Sequence, residues 1–226
     1  YDQVGGGFFR YSVDELWMIP HFEKMLYDNG PLVSIMCDAF RVFGDQIYLK
    51  KAIETCDWAI TDMQNDNGGF SSTIDADSEG KEGKYYVWSD KELDELLTNE
   101  ELNVFKKVYV VYDKPNFESA YHLHTTQMNV KEFNSNTNVI ESILAKLKKQ
   151  RNSRVPPDTD RKILTSWNCL MIKGLLDTYK ITNEIRYYES ASRSFGFIKN
   201  NLWDGSNLYA CFHEQPEYSA YLDDYA

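Results

Sequence analysis

The chain has 226 residues, of which 42% are apolar and 26% charged, and its formal net charge at pH 7 is −11. This composition is that of a globular protein, and the acidic excess argues against a nucleic-acid backbone or an anionic membrane surface as a partner. No apolar run approaches the roughly 20 residues of a membrane span, and no signal peptide is recognisable. We therefore expect a cytoplasmic protein with neither nucleic acid nor membrane as partner.

The four cysteines are widely spaced and form no CxxC pair. This spacing disfavours both a disulfide scaffold and a zinc site, so we expect four buried, reduced thiols. Sequence reasoning predicts no metal and no cofactor.

The first clear helix is predicted over residues 32–43, where apolar side chains recur at helical spacing and Pro31 is acceptable in the first turn. Gly44 ends this helix. Asp45 caps a second helix that continues to residue 63, which gives an antiparallel pair with a very short loop.

Residues 67–88 predict a β-hairpin with a wide tip, because a Gly-Gly turn, an alternating run and a second apolar run frame a glycine-punctuated loop. The loop carries four carboxylates: Asp75, Asp77, Glu79 and Glu82. Crowded carboxylates can raise a carboxyl pKa for acid–base work, although a solvated turn is the alternative. An EF-hand is excluded, since Tyr86 stands at the twelfth position, where a bidentate glutamate is required.

The rest of the chain predicts further helices and one short strand. Expected are a helix capped by Asp90 and ending at residue 97, a helix over 99–110, a loop over 112–135 with a possible strand at 121–124, a helix from 139 to 151, a helix over 164–179, its partner from an Asn183 cap to residue 202, and a strand over 208–212.

One unit therefore occurs twice, as helix, tight loop, helix and β segment, over residues 31–75 and 163–212. Tyr48 aligns with Tyr187, and Ala52 with Ala191. Repeated helical hairpins indicate a helical array whose connecting loops build the site.

Two polar clusters are candidate sites. The first contains His21, Glu23 and Asp28; if it is helical, His21 and Asp28 share one face, and a carboxylate beside an imidazole can fix its tautomer. The second follows Thr165, where polar residues interrupt the start of an apolar helix. Capping and packing are the structural alternatives for both clusters.

Four segments together resemble one family: YDQVGGGFFRYSVDELWMIPHFEKMLYDN, GGFSSTIDADSEGKEGKYYVW, LTSWNCLMIKGL and YLDDYA. They are similar to thioredoxin-domain-containing proteins related to spermatogenesis-associated protein 20 and bacterial YyaL. Two positions depart from the family pattern: Cys169 replaces a small residue, and Phe9 stands where histidine is frequent.

The resemblance implies a mainly α fold, a partial (α/α)6 toroid of helical hairpins with short β-hairpins in the connecting loops, similar to six-hairpin glycosidases and N-acylglucosamine 2-epimerases. It implies that residues 1–226 are a single domain, an internal section of the toroid. The remaining toroid helices and the thioredoxin-like domain of full-length members are then absent from this sequence. Exposed apolar edges would favour association.

Carbohydrate-active chemistry follows from this resemblance, as glycoside hydrolysis or sugar epimerisation on a small-molecule sugar. Hydrolysis needs two carboxylates about 5 to 9.5 Å apart, whereas epimerisation uses opposed bases, and a single good histidine candidate favours hydrolysis. The alternative is a non-catalytic module that presents a ligand or partner to the thioredoxin-like domain. The candidate catalytic residues are Asp28, Asp75, Asp77, His21 and Glu23. The candidate substrate-binding residues are Trp17, Tyr27, Glu82, Trp88, Trp167, Asn168 and Asp224, with the tryptophans stacking on a sugar ring.

Overall fold

The computed structural model describes residues 1–110, 114–125 and 130–226. The helices are α1 (Leu26–Phe43), α2 (Gln46–Trp58), α3 (Asp90–Leu96), α4 (Asn99–Tyr109), α5 (Val130–Ser135), α6 (Thr137–Arg151), α7 (Thr165–Thr182), α8 (Ile185–Asn201) and α9 (Leu222–Tyr225), and a π-helical turn, Ala59–Met63, follows α2. The strands are β1 (Tyr11–Ser12), β2 (Pro20–His21), β3 (Lys24–Met25), β4 (Thr73–Ile74), β5 (Asp77–Ser78), β6 (Lys81–Glu82), β7 (Thr159–Asp160), β8 (Ile163–Leu164), β9 (Tyr209–His213) and β10 (Gln215–Ser219).

The chain forms two compact units. The first unit comprises Tyr1–Gly5, Phe9–Glu23 and Ala76–Asp158, and the second comprises Gly6–Phe8, Lys24–Asp75 and Thr159–Ala226. Each unit has buried apolar clusters of its own.

The second unit contains two helical pairs that repeat in register. Helix α1 begins at residue 26 and α7 at residue 165, an offset of 139 residues, and α2 and α8 begin at residues 46 and 185 with the same offset. Each pair is preceded by a two-residue strand, β3 or β8, which leads directly into its helix. The repeated unit predicted from the sequence is therefore present. The prediction began the first copy at residue 31, whereas α1 begins at Leu26 and a short strand precedes it.

The short loops within the two pairs use the same backbone conformation. Gly44 ends α1 with φ of 70°, and Asn183 ends α7 with φ of 57°. Both lie in the left-handed region, which glycine and asparagine tolerate best. Asp45 caps α2 as predicted, its carboxylate accepting from the Ile47 N–H at 3.0 Å. The prediction that Asn183 caps α8 was wrong, because Asn183 closes α7 and Glu184 precedes α8.

Helices α1 and α7 pack side by side and run parallel, since their contacts advance together along both helices. The Tyr27 and Trp167 rings meet near the helix starts, and Cys37 and Thr178 meet near the ends. Between them, a Cβ atom added at Gly30 would lie 2.7 Å from the carbonyl carbon of Leu170. Glycine at this position therefore permits the close approach of the two helices.

The wide hairpin predicted over residues 67–88 was wrong in its pairing. Strand β4 pairs with β3 and β7, not with residues 85–88. A smaller hairpin, β5–β6, follows within the first unit and turns at Glu79 and Gly80, whose φ values are 52° and 72°. Two successive positive φ angles are typical of the type I′ turn that joins two-stranded hairpins.

The helices of the first unit surround an apolar cluster built from α3, α4 and α6. Ser89 and Thr98 cap α3 and α4 in two complete capping boxes. The cap predicted at Asp90 lies one residue too late. Helix α5 occupies part of the loop predicted over 112–135, and residues 112, 113 and 126–129 of that prediction lie outside the described residues.

The predicted fold class is confirmed: the chain is mainly α, with helical hairpins of the kind that (α/α) toroids repeat and short β-hairpins in the connections. The cysteine prediction needs one correction, because Cys169 is exposed while Cys37, Cys56 and Cys211 are buried. Within the described ranges, no helix is both long enough and apolar enough to cross a membrane.

Candidate functional site

The first unit contains an imidazole held by a carboxylate from a distant part of the sequence. His21 lies on β2, and its Nδ1 donates to Glu82 Oε1 on β6 at 2.7 Å. The same carboxylate oxygen lies 3.4 Å from the backbone N–H of Phe22. Two segments that sequence reasoning selected separately therefore meet at one histidine.

A second carboxylate lies on the other side of the ring. Glu23 Oε2 is 3.8 Å from His21 Nε2, which is beyond hydrogen-bond distance, and it accepts from Arg10 Nη1 at 3.0 Å. The Tyr11 ring stacks on the imidazole with centroids 4.9 Å apart. Sequence analysis missed Arg10 and Tyr11, because only the pairing of β1 with β2 places them beside His21.

A glycine positions Glu82 beside the histidine. Gly83 has φ of 73°, and a Cβ atom there would lie 2.6 Å from the Phe22 ring. Any larger residue at Gly83 would force β6 and the Phe22 ring apart. Asp77 is the cross-strand neighbour of Glu82 in this hairpin, and its side chain is exposed.

The geometry supports proton transfer. A carboxylate bonded to Nδ1 fixes the tautomer of the imidazole and leaves Nε2 as the basic nitrogen. The side chains of His21, Glu23 and Glu82 are 25%, 21% and 42% exposed, so a ligand can reach them from solvent.

The two tryptophans of the first unit lie in opposite environments. Trp17 is 80% exposed, with φ of 56°, in the loop between β1 and β2. Asp14 organises that loop by accepting from the N–H groups of Met18 and Ile19 at 2.9 and 2.6 Å. Although desolvation acts in the opposite direction, these backbone bonds hold the pKa of Asp14 below its ordinary value.

Trp88 does not present a stacking face to solvent. Its side chain is fully buried in the apolar cluster of the first unit, and the Arg154 guanidinium lies 4.0 Å from the ring centroid. The proposed sugar contact at Trp88 is corrected to a packing role, because burial leaves no ring surface for a ligand.

In the second unit, the first turns of α1 and α7 bring two of the predicted residues together, Tyr27 and Trp167. The Tyr27 and Trp167 rings meet edge to face at 4.8 Å, and Asp28 follows Tyr27 on α1. Asp75 is exposed just beyond β4. The conditional helix over residues 21–28 is not formed, since α1 begins at Leu26 and His21 lies on a strand.

Asn168 and Asp224 bond to the protein itself. Asn168 is fully buried; its Oδ1 accepts from the Phe70 N–H at 2.8 Å and its Nδ2 donates to the Phe70 and Leu164 carbonyls at 3.1 and 2.9 Å. Asp224 accepts from the Ser166 N–H at 3.0 Å and so caps α7. These bonds give both side chains structural roles.

No cluster of three or more histidine, cysteine, aspartate or glutamate side chains within the described part of the chain is arranged to hold a metal ion.

Paired helices with short connecting hairpins thus define a mainly α protein of helical-hairpin type. No family model matches the chain. It is 29% identical to spermatogenesis-associated protein 20 of Homo sapiens over 268 aligned positions, covering 100% of this chain and 34% of that protein. It is 30% identical to the Mus musculus protein of the same name, covering 91% and 30% of the two chains, and 30% identical to an uncharacterised protein of Caenorhabditis elegans, covering 100% and 36%. The resemblance to this family is confirmed, and the chain spans about a third of the length of the curated relatives it matches.

Solved structures similar to the chain include two sugar-converting enzymes. The cellobiose 2-epimerase from Spirochaeta thermophila is 16% identical with a TM-score of 0.31, covering 97% of this chain and 70% of that one. A D-mannose isomerase is 12% identical with a TM-score of 0.31, covering 94% and 51%.

Proposed function

We propose that the chain carries a carbohydrate-directed acid–base site in which His21 moves the proton. The bond of 2.7 Å between His21 Nδ1 and Glu82 Oε1 supports this proposal most directly. A carboxylate that accepts from Nδ1 leaves Nε2 as the nitrogen that can take up a proton, which is the arrangement of a general base.

The single histidine favours hydrolysis in the sequence, but isomerisation of an open-chain reducing sugar needs only one base, and the His21–Glu82 pair supplies an oriented one. The proposed reaction is therefore isomerisation, or epimerisation with solvent as the second proton donor. Nε2 of His21 would remove the proton from the carbon beside the carbonyl, and the electron pair would move onto the carbonyl oxygen. Arg10, which lies at the same cluster through Glu23, would stabilise the resulting oxyanion. Delivery of a solvent proton to the opposite face of that carbon, with release of the abstracted proton from Nε2 to solvent, gives the epimer. Return of the proton by Nε2 to the former carbonyl carbon gives the isomer, as the proton of the neighbouring hydroxyl moves to the former carbonyl oxygen.

Hydrolysis is the second candidate, because Glu23 and Glu82 approach opposite nitrogens of one ring. A glycosidase would use two such carboxylates as acid and as base or nucleophile. Asp28, Asp75 and Asp77 remain proposals for this chemistry.

A binding module has no need of an oriented base, and so the ordered His21–Glu82 pair favours catalysis over the non-catalytic alternative. The ligand proposed for either reaction is a small-molecule sugar.

The test is proton exchange into sugars. Reducing monosaccharides are incubated with the protein in D2O, and deuterium at the carbon beside the carbonyl is measured by NMR, with aryl glycosides assayed in parallel for hydrolysis. We expect His21→Gln to lower the exchange rate by about 10²- to 10⁴-fold.

Glu82→Gln should lower kcat, because it weakens the bond that fixes the tautomer of His21. Glu95→Gln is the matched control, since Glu95 is an exposed glutamate of the same unit with only a 3.9 Å ion pair to Lys91. Equal turnover in the His21→Gln variant and the parent would refute the proposal.

A further inference from the structure

The basic nitrogen of His21 faces a carboxylate. Glu23 Oε2 lies 3.8 Å from His21 Nε2, too far for a hydrogen bond but close enough for both groups to contact neighbouring atoms of one small molecule. Glu82 is bonded to the opposite nitrogen, Nδ1. The two carboxylates therefore differ in position: Glu82 orients the ring, whereas Glu23 lies on the side at which a substrate gives up its proton.

Two successive residues hold Glu23 and His21 in place. The backbone N–H of Arg10 donates to the Glu23 carbonyl at 2.9 Å, and Arg10 Nη1 donates to Glu23 Oε2 at 3.0 Å. The next residue, Tyr11, is the cross-strand partner of His21 and stacks on its ring. Because Arg10 and Tyr11 are adjacent in the chain, the carboxylate and the imidazole are fixed relative to each other.

Isomerisation of an aldose moves two protons. One passes from the second carbon to the first, and Nε2 of His21 carries it in the proposed function. The other passes from the hydroxyl oxygen of the second carbon to the former carbonyl oxygen of the first. Both oxygens are bonded to these two adjacent carbons, so a carboxylate beside Nε2 can contact the oxygens while the imidazole contacts the carbons.

We propose that Glu23 is a second catalytic residue that relays the hydroxyl proton, and that the site therefore converts a 2-hydroxy aldehyde sugar into the ketose and not into its epimer. This inference rests on the proposed function of His21.

The Glu23 relay leaves both side chains as they began. Nε2 of His21 takes the proton of the second carbon, the electron pair of that C–H bond forms a carbon–carbon double bond, and the carbonyl pair moves onto the first oxygen. Glu23 takes the hydroxyl proton of the second carbon and gives it to the first oxygen. The pair left on the second oxygen then forms the new carbonyl, and the double-bond pair takes the proton from Nε2 onto the first carbon.

The test measures the two proton transfers separately. In D2O, NMR follows deuterium at the second carbon of glucose or mannose and the appearance of fructose in the same sample. Glu23→Gln should lower ketose formation by about 10²-fold or more and deuterium incorporation by less than about tenfold, because His21 still removes the carbon-bound proton. Glu95→Gln, at an exposed glutamate of the same unit, is the matched control and should change neither rate.

Chemical rescue distinguishes a relay from a structural role. Glu23→Ala removes the carboxylate and leaves space for a small carboxylic acid. Added formate should raise ketose formation in this variant by about tenfold or more, whereas chloride at the same ionic strength should not. Formate should have no such effect on His21→Gln.

The outcomes separate this inference from the function on which it depends. Equal loss of both rates in Glu23→Gln, loss of neither, no rescue by formate, or formation of the epimer without ketose by the parent overturns the Glu23 relay. In each of these cases, loss of deuterium incorporation in His21→Gln still supports the proposed function. If His21→Gln keeps full deuterium incorporation, or if the parent incorporates none, both are overturned.

Discussion

Asn168→Ala decides whether this asparagine supports the fold or contacts a ligand. The amide makes four bonds within the protein: it accepts from the Phe70 N–H and the Ser194 hydroxyl, and it donates to two backbone carbonyls. Each buried bond contributes about 0.5 to 1.5 kcal/mol net, and an unmet buried partner costs about 1 to 3 kcal/mol. We expect the substitution to lower the free energy of unfolding by about 4 kcal/mol.

Neighbouring backbone groups cannot replace the hydrogen bonds to Phe70 that Asn168→Ala removes. Around Phe70 the chain pairs through Ser71 N–H to Met63 O and Asn65 N–H to Gly69 O, at 2.9 and 2.8 Å. These bonds leave both backbone groups of Phe70 facing Asn168. Since Phe70 is fully buried, water does not replace the amide.

Urea unfolding measures the global cost, and hydrogen exchange at the Phe70 amide measures the local one. Ser194→Ala is the matched control; it removes one of the four bonds and should cost about 1 kcal/mol. The structural assignment would be refuted if the free energy of unfolding of Asn168→Ala lay within about 0.5 kcal/mol of the parent value and the Phe70 amide were equally protected from hydrogen exchange. Loss of sugar binding in such a stable variant would restore Asn168 to the site.

Three further predictions concern packing and titration. Gly30→Ala should destabilise by about 2 kcal/mol in urea titrations, because its Cβ meets the Leu170 backbone, whereas Gly196→Ala on α8, which meets nothing within 4 Å, should stabilise by about 1 kcal/mol. Burial lowers the pKa of His122 to about 3, so that below about pH 6.5 the unfolded chain binds the proton and the folded chain does not; the free energy of unfolding should then fall by about 1.4 kcal/mol per pH unit. In a plot of urea midpoint against pH, His122→Phe should abolish the part of the slope that this proton causes. Glu101 accepts from a lysine of α6 at 2.6 Å, which lowers its carboxyl pKa to about 2. Glu101→Gln should therefore lower the free energy of unfolding by about 1 to 2 kcal/mol at neutral pH, and urea titrations should show the parent losing this advantage as the pH falls from about 4.5 towards 2.

The sequence predicts the helices of this chain better than its strands, for physical reasons. The α2 and α4 stripes carry enough apolar periodicity and capping residues to locate those helices to within a residue or two at the N-terminus. Strands of two residues carry no periodicity. The alternating run ending at Ile74 looked like half of a local hairpin, but its partner strands β3 and β7 lie far away in the sequence. Nothing local specifies such a pairing.

The candidate site at His21 likewise depends on pairing between segments that lie far apart in the sequence. His21 and Glu82 were each selected for their chemistry, but that they meet depends on the approach of the Gly83 segment to the Phe22 ring, which the local sequence does not indicate. Trp88 was selected for its chemistry too, and burial gives it a different role. Residue type indicates what a side chain can do, whereas solvent access and neighbours depend on the tertiary fold.

Asn168 is one of the few residues that the two helical pairs share. Its counterpart at the same offset is Asn29, whose amide accepts from the Phe8 N–H at 2.7 Å and donates to the Phe8 and Met25 carbonyls at 3.1 and 2.8 Å. In both copies, a carboxamide on the first turn of the helix bonds to both backbone groups of a phenylalanine on another segment and to the carbonyl preceding the helix. An aspartate lacks the donor and a leucine lacks both functions, so this contact specifies asparagine or a close substitute. Apolar positions that pack by volume alone tolerate replacement, and their divergence between the copies hides a repeat that the backbone retains.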